Sequence, residues 1–260
     1  GRSTLLFRLL PEHGPAAAAL RAALSATGRV STPIDGYGRA LLVTGVDPEA
    51  FLTASLSAKK LKELRRQLRR LGDEAPISFT EARLATEAPD ALDRFLALEA
   101  SGWKGKDRTS MRDNADQLAF IRETIANLAA NGDVRFLEMS AGDAVVASAL
   151  VVVNGRRAWY YKTAYDERFA KQSPGVHLTL ELTRRLLEDP AIDSVDSTAI
   201  ANHPMIDHIW RDRLGLIDLM VSTRPGADRT LALAAASERL RRRARVVLRD
   251  LYHRVKGYVR

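Results

Sequence analysis

Apolar positions recur along this chain with two periods, and the places where the period changes divide it into elements. Residues 4–9 and 38–45 alternate as strands, with an Ala-rich helix over 15–26 between them and a turn-rich loop around Pro33, Ile34, Asp35 and Gly36. Asp47-Pro48 opens a helical segment. Leu61, Leu64, Leu68 and Leu71 then mark one face of a helix from about Ser57 to Leu71. Gly72 to Pro76 punctuates the chain, and Ile77 to Ala82 alternates as a strand. Pro89-Asp90 starts a helix that stops near Gly102, and Leu118, Ile121, Ile125 and Leu128 line a second one from about Asn114 to Ala130. Three strands follow, at 134–139, 145–153 and 157–163, with hairpin turns at Ala141-Gly142-Asp143 and Asn154-Gly155. A Pro-Gly turn at 174–175 opens a helix to about Glu188. A strand over 192–197, a helix over 204–213 and a strand over 216–222 complete the pattern.

From Ile77 the order is β-α-α-β-β-β-α-β-α-β, with an antiparallel front and a single β-α-β crossover at 157–197. A doubly wound nucleotide fold needs several such crossovers, so the pattern speaks for an α+β arrangement. The segment before residue 72 has too few elements to close a core of its own. After the break at Arg224 to Asp228, Leu240, Ala244, Val247, Leu251, Val255 and Tyr258 repeat at helical spacing, and this stripe is expected to dock on the front segment.

Charge changes the picture in two places. The 260 residues carry a formal net charge of +8. Lys59 to Leu71 holds seven Lys/Arg against one Glu, and Ala234 to Arg260 nine against two acids, so the excess belongs to two helices. Each reads either as a docked helix with a solvated basic outer face or as a surface for RNA, anionic lipid or a phosphorylated substrate. The hydrophobic share of 46% excludes intrinsic disorder, and no apolar run approaches the roughly 18 residues of a membrane span, which leaves peripheral contact as the membrane option. The absence of cysteine excludes disulfides, thiol catalysis and Cys-ligated metal, and fits a reducing cytoplasm. The five histidines are scattered, so no metal site is expected. The chain starts at Gly1, not Met, and reads as a piece of something longer.

The stretch from Arg157 to Leu182 carries the chemistry. A strand feeds a polar loop that ends in Gly175 just as a helix starts, where backbone N–H groups and the helix dipole converge on anionic oxygens and the missing Cβ admits a ligand. Pro-Gly before a helix is also an ordinary turn. With the element order, the segment resembles the acetyl-CoA loop of the GNAT superfamily of acyltransferases. Gln172-Ser173-Pro174-Gly175-Val176-His177 follows that family's pattern until its last place, where His177 replaces a small residue. Leu98 to Gly105, Tyr160 to Glu167 with Pro174-Gly175, and His203 to Asp207 resemble more closely the GNAT-like acetyltransferases associated with bacterial cellulose biosynthesis, relatives of the tandem-GNAT Fem-type transferases.

The resemblance implies a GNAT-like α+β fold, a mixed and mostly antiparallel sheet flanked by helices. It implies a partial GNAT-like unit over 1–72, a complete one over 73–224, and a basic amphipathic helix over 229–260. The activity implied is acyl transfer from acetyl-CoA or another acyl-CoA to the amine of a small molecule or sugar. Tyr161, Lys162 and Thr163 would then lie along pantetheine, with an N–H near Lys162 or Thr163 facing the thioester oxygen, and Gln172, Ser173, Gly175, Val176 and His177 would hold the pyrophosphate. Asp196 and His203 are the candidates for the base, with Asp166 and Glu167 as alternatives. Trp103, Lys104 and Asp166 are the candidate acceptor contacts. The helix after the fifth strand carries no Tyr to protonate the leaving thiolate. Asp196 and His203 also read as a turn cap and a helix start, and Trp103 and Lys104 as core and surface. Two rival functions follow from the same pattern: a Fem-type transferase that uses charged tRNA, and a non-catalytic scaffold in polysaccharide assembly.

Overall fold

The computed structural model describes residues 3–257, apart from the side chains of Trp103, Lys104 and the residues from Asp250 onward. In chain order the elements are β1 (Thr4–Pro11), α1 (Pro15–Ala26), β2 (Ser31–Val43), α2 (Pro48–Ser55), α3 (Ala58–Glu74), β3 (Ile77–Ala82), α4 (Ala88–Ser101), α5 (Trp103–Lys106), α6 (Ala115–Ala130), β4 (Val134–Ala141), β5 (Ala144–Asn154), β6 (Arg157–Tyr165), α7 (Pro174–Glu188), β7 (Ser194–Asp196), α8 (Ile206–Ile209), β8 (Asp212–Ser222) and α9 (Asp228–Gly257). Short 3₁₀ turns cover Met111–Asp113 and Glu167–Gln172. The chain forms two compact units, residues 39–213 and residues up to Gly38 together with those from Leu214.

In the unit over 39–213 the strand order is β2–β7–β6–β5–β4–β3, β2 contributing its last residues. Every pair is antiparallel except β6 with β7, the two strands joined through α7. Tight turns make the β4–β5–β6 part of the antiparallel front local. Gly142 at φ 60° and Gly155 at φ 57° supply the left-handed residues that two-residue hairpins demand. α4 and α6 cover one face through Phe95, Leu96, Ile121 and Ile125 against Phe136 and Leu150. α2, α3 and α7 form a second core through Leu52, Leu64, Leu71, Leu178 and Leu182, joined by Trp210 just after α8. The helices start where side chains cap them: Asp47 accepts from the Ala50 N–H at 2.7 Å, Ser57 from Lys60 at 3.2 Å and Asn114 from Gln117 at 3.0 Å. α3 buries Leu64 and Leu71 and turns its arginines outward, so it is a docked helix with a solvated basic face.

Trp210 is fully buried, lies 5.8 Å from the Tyr160 ring, and donates Nε1–H to Thr183 Oγ1 at 2.9 Å. Trp210→Phe leaves that hydroxyl short of a donor and the ring short of volume. Urea unfolding is expected to show a loss of about 2 kcal/mol, and an unchanged midpoint would show that the bond contributes nothing net.

The second unit pairs β1 with β8 antiparallel and places β8 beside the first part of β2. Three local expectations change here and at the site. The turn-rich loop at Pro33 to Gly36 is strand, because Gly36 lets the β8 backbone come close: a Cβ there would meet the Leu216 carbonyl oxygen at 3.1 Å. The helix expected over 204–213 shrinks to α8, because Trp210 turns extended to fill the core and β8 begins at Asp212. The strand expected over 192–197 keeps only three residues.

The stripe on α9 is also corrected. Leu231 and Ala235 pack with Ile34 and Met220, and the polar anchors Arg239 to the Pro33 carbonyl at 2.6 Å and Arg242 to Asp218 at 2.7 Å lie on that same side. Leu240 and Val247 point the other way and are exposed. The docked face is the small-residue and charged one, since small side chains let the helix approach the sheet and the buried Asp218 needs a cation. Leu251, Val255 and Tyr258 lie outside the described side chains.

Candidate acyl-transfer site

β6 and β7 pair in parallel at only three positions, Arg157–Ser194, Ala158–Val195 and Trp159–Asp196. Beyond them the strands part. In β6 the register against β5 slips between Tyr160 and Lys162, so Tyr161 is the extra residue of a bulge that bends the strand there. The gap is a cavity of about 210 Å³ lined by Tyr160, Tyr161, Lys162, Thr163, Ser197 to Ala199, His203, Met205 and Ile206. Met205 also lines a second cavity of about 580 Å³, together with Ser57, Lys60, Val176 in the first turn of α7, His208 and Arg211.

The end of β7 is held in an unusual conformation. Thr198 sits at φ 52°, a left-handed angle that a β-branched residue rarely adopts. Its N–H donates to Asp196 Oδ1 at 2.9 Å, and its hydroxyl donates to the Tyr160 carbonyl at 2.7 Å. The other carboxylate oxygen of Asp196 accepts from Arg39 of β2. Asp196 is therefore buried in an ion pair and a turn, and it lines neither of the two cavities. His203 does line the first one. Its Nδ1 accepts from the Met205 N–H at 3.3 Å and the Ile206 N–H at 3.4 Å, so in the neutral ring the proton is on Nε2.

The loop before α7 is tied down by its own side chains. Asp166 accepts from the Arg168 N–H at 2.9 Å and pairs with its guanidinium, which holds the carboxyl below the usual range. Ser173 caps the turn at φ 53°, and the amides of Val176 and His177 both donate to its carbonyl. Gly175 sits in a tight place: a Cβ there would lie 3.3 Å from the Tyr165 ring, which would have to shift by a few tenths of an ångström. His177 lines a cavity on the α3 side, among Leu52, Leu61, Leu64 and Phe79. It is buried, it engages the Gln172 backbone, and its Nε2 finds no hydrogen-bond partner. Burial pushes its pKa down to about 4, against the raising effect of Gln172 and with a further lowering by Lys60.

Across β6 lies a small cavity of about 50 Å³ lined by Leu98, Glu99, Gly102, Thr163, Ala164, Tyr165 and Glu167. Glu99 is buried, faces Lys162 Nζ, and accepts from the Met111 N–H at 3.0 Å. Glu167 pairs with Lys106 at 3.0 Å. Thr163 lines this cavity and the one at the β6–β7 gap, and its hydroxyl donates to the Tyr160 hydroxyl, which meets Thr179 of α7 at 2.9 Å. Of the residues expected from sequence, Tyr161, Lys162, Thr163 and His203 come together. Gln172, Ser173 and Gly175 form the neighbouring turn. His177 lies on the α3 side and Asp196 in its ion pair, and the side chains of Trp103 and Lys104 lie outside the described set. Glu99 and Lys60 line the cavities without a role assigned to them by the sequence. The Lys162–Glu99 pair spans two elements, and no local spacing announces it.

The chain shares its fold with FemX, at 10% identity and a TM-score of 0.54 over 84% of this chain and 71% of that one. A conserved protein of unknown function from Bacteroides thetaiotaomicron is similar at 12% identity and a TM-score of 0.52, over 84% and 68%. No curated protein matches the chain. The family model described as "Acetyltransferase (GNAT) domain" matches residues 58–204, from the start of α3 through the parted strands, and the chain belongs to that acetyltransferase family.

Proposed function

We propose that the protein transfers an acyl group from acyl-CoA, with acetyl-CoA the first choice, to the amine of a small molecule or sugar in a ternary complex. The observation that carries this reading is the parting of β6 and β7 into a cavity that shares Met205 with a larger one beside the first turn of α7. The pantetheine arm would lie along Tyr161 to Thr163. The pyrophosphate would lie near Val176, where Lys60 and Arg211 add positive charge to the dipole of α7. Acyl-CoA supplies the activated thioester, and the chain supplies donors for the developing oxyanion from the backbone around Lys162 and Thr163. His203 presents Nε2–H to the gap and acts there as a donor. The two carboxylates of the small cavity, Glu99 and Glu167, suit a cationic amine, and Glu99 receives its proton.

Lys60→Glu tests the placement of the phosphates. Position 60 is the third residue of α3 after the cap Ser57, where a Glu completes a capping box, so the helix itself gains. Acetyl-CoA binding by calorimetry is expected to weaken roughly tenfold or more, because a cation beside the pyrophosphate becomes an anion. Unchanged affinity would move the phosphates elsewhere.

The fold shared with FemX supports a second reading, a Fem-type transfer from charged tRNA. Acetyl-CoA binding without tRNA binding favours the first reading. Salt-dependent tRNA binding with no acetyl-CoA binding favours the second, and neither favours the scaffold.

A further inference from the structure

We propose that α9 is a membrane-surface anchor that lays its outward stripe into the interface of an anionic bilayer. The helix has two dissimilar faces. One is docked through Leu231, Ala235, Arg239 and Arg242, as described above. The other shows Leu233, Leu240 and Val247 at 74%, 69% and 65% exposure, with Leu248 at 64% beside them. Leu233, Leu240 and Val247 stand seven residues apart, and a straight helix drifts only about 20° per heptad, so the three fall on one line. Ala236 and Ala244 share that side, which makes it a continuous apolar strip.

The charges beside the strip decide what covers it. Arg241 and Arg243 flank Leu240 on opposite sides, and Arg245 follows. Arg241 is held at 2.7 Å by Glu238, whereas Arg243 and Arg245 make no described ion pair. A second copy of the helix laid on this strip would bring the Arg243 and Arg241 flanks of both chains together, and like charges across such a seam oppose association. A nucleic acid would satisfy the arginines and leave four large apolar side chains in water. An anionic bilayer meets both requirements at once: the acyl boundary takes the strip, and the headgroups take the guanidinium groups that snorkel from its edges. No described helix is long and apolar enough to cross a membrane, so the contact lies in the plane of the surface.

The test uses the whole chain and vesicles of phosphatidylcholine alone or with about a third phosphatidylglycerol, a share chosen to give a strongly negative surface. Co-sedimentation with the anionic vesicles and not with the neutral ones is expected. The double variant Leu240→Glu, Val247→Glu changes two exposed residues and should keep the wild-type melting curve. It is expected to lose anionic-vesicle binding by roughly tenfold or more. Arg243→Gln with Arg245→Gln should lower binding by a smaller factor that shrinks further in high salt. The proposal is overturned by any of three results. These are wild-type protein that ignores anionic vesicles, a double Glu variant that binds them as wild type does, and sedimentation analysis showing a dimer that the double variant dissolves.

Discussion

Replacing Glu99 with glutamine is expected to lower turnover of an amine acceptor by roughly a hundredfold or more while acyl-CoA affinity stays within about twofold. Attack on a thioester needs a neutral amine, and most amines arrive as ammonium at neutral pH. The small cavity on the far side of β6 offers the carboxylate of Glu99 within the same ring of residues as Thr163 and Ala164. That carboxylate already holds a cation, Lys162 Nζ, which is itself partly exposed, so an incoming ammonium exchanges with a like charge. Glutamine keeps the size and one acceptor but removes the charge and the basic site. It also sets an amide donor against either Lys162 or the Met111 N–H, so circular dichroism and acetyl-CoA calorimetry must accompany the kinetics. Glu99→Asp shortens the side chain and keeps the charge, and it should recover part of the loss. Wild-type turnover in Glu99→Gln would return the role to Glu167 or to water.

The pattern of elements was legible because most of it is local. The strands β4 to β6 meet through tight turns, so their register and pairing are read within about 30 residues of sequence, whereas β3 joins β4 across the helices between them. α7 was legible from Pro174-Gly175 and its apolar face. What could not be read depended on partners far apart in the chain. β7 is three residues long and its pairing with β6 ends at Trp159–Asp196, where Asp196 bonds both the Thr198 N–H and Arg39. Arg39 and Asp196 are 157 residues apart. Asp196 stands at the end of β7, where the two strands part, and lines neither cavity. Its ion pair gives it a positioning part, holding the left-handed Thr198 against the Tyr160 carbonyl.

α9 shows a different limit. Periodicity identifies an amphipathic helix but does not say which of its faces is covered. The broad Leu and Val strip was the stronger hydrophobic signal, and the structure docks the face of Leu231, Ala235 and Glu238 instead. Close approach favours alanine, and the buried Asp218 draws Arg242 to that side. His177 marks the same limit at the site. It stands where the family's pattern has a small residue. The side chain is buried on the α3 side of α7 and engages the backbone of Gln172, the first residue of that pattern.

That burial gives His177 a measurable effect on stability. In the unfolded chain the imidazole takes up a proton near its ordinary 6.5, whereas in the folded protein burial delays protonation to about 4. Between those values the unfolded state binds more protons than the folded one, so stability rises with pH across this window. The contribution is fully present above about 6.5, is lost progressively as pH falls, and levels off below about 4. A shift of this size corresponds to a change on the order of 3 kcal/mol across the window. Many carboxylates titrate in the lower part of the range, so wild type alone does not isolate the histidine. His177→Leu removes the titration and suits the surrounding leucines, while it gives up the contact with Gln172. Urea unfolding of both proteins at pH 7.5 and 4.5 is expected to show wild type losing more stability than the variant by most of that amount. Parallel losses would mean that the imidazole is protonated in the folded protein at its ordinary pKa, and that the side of α7 under α3 is open to water.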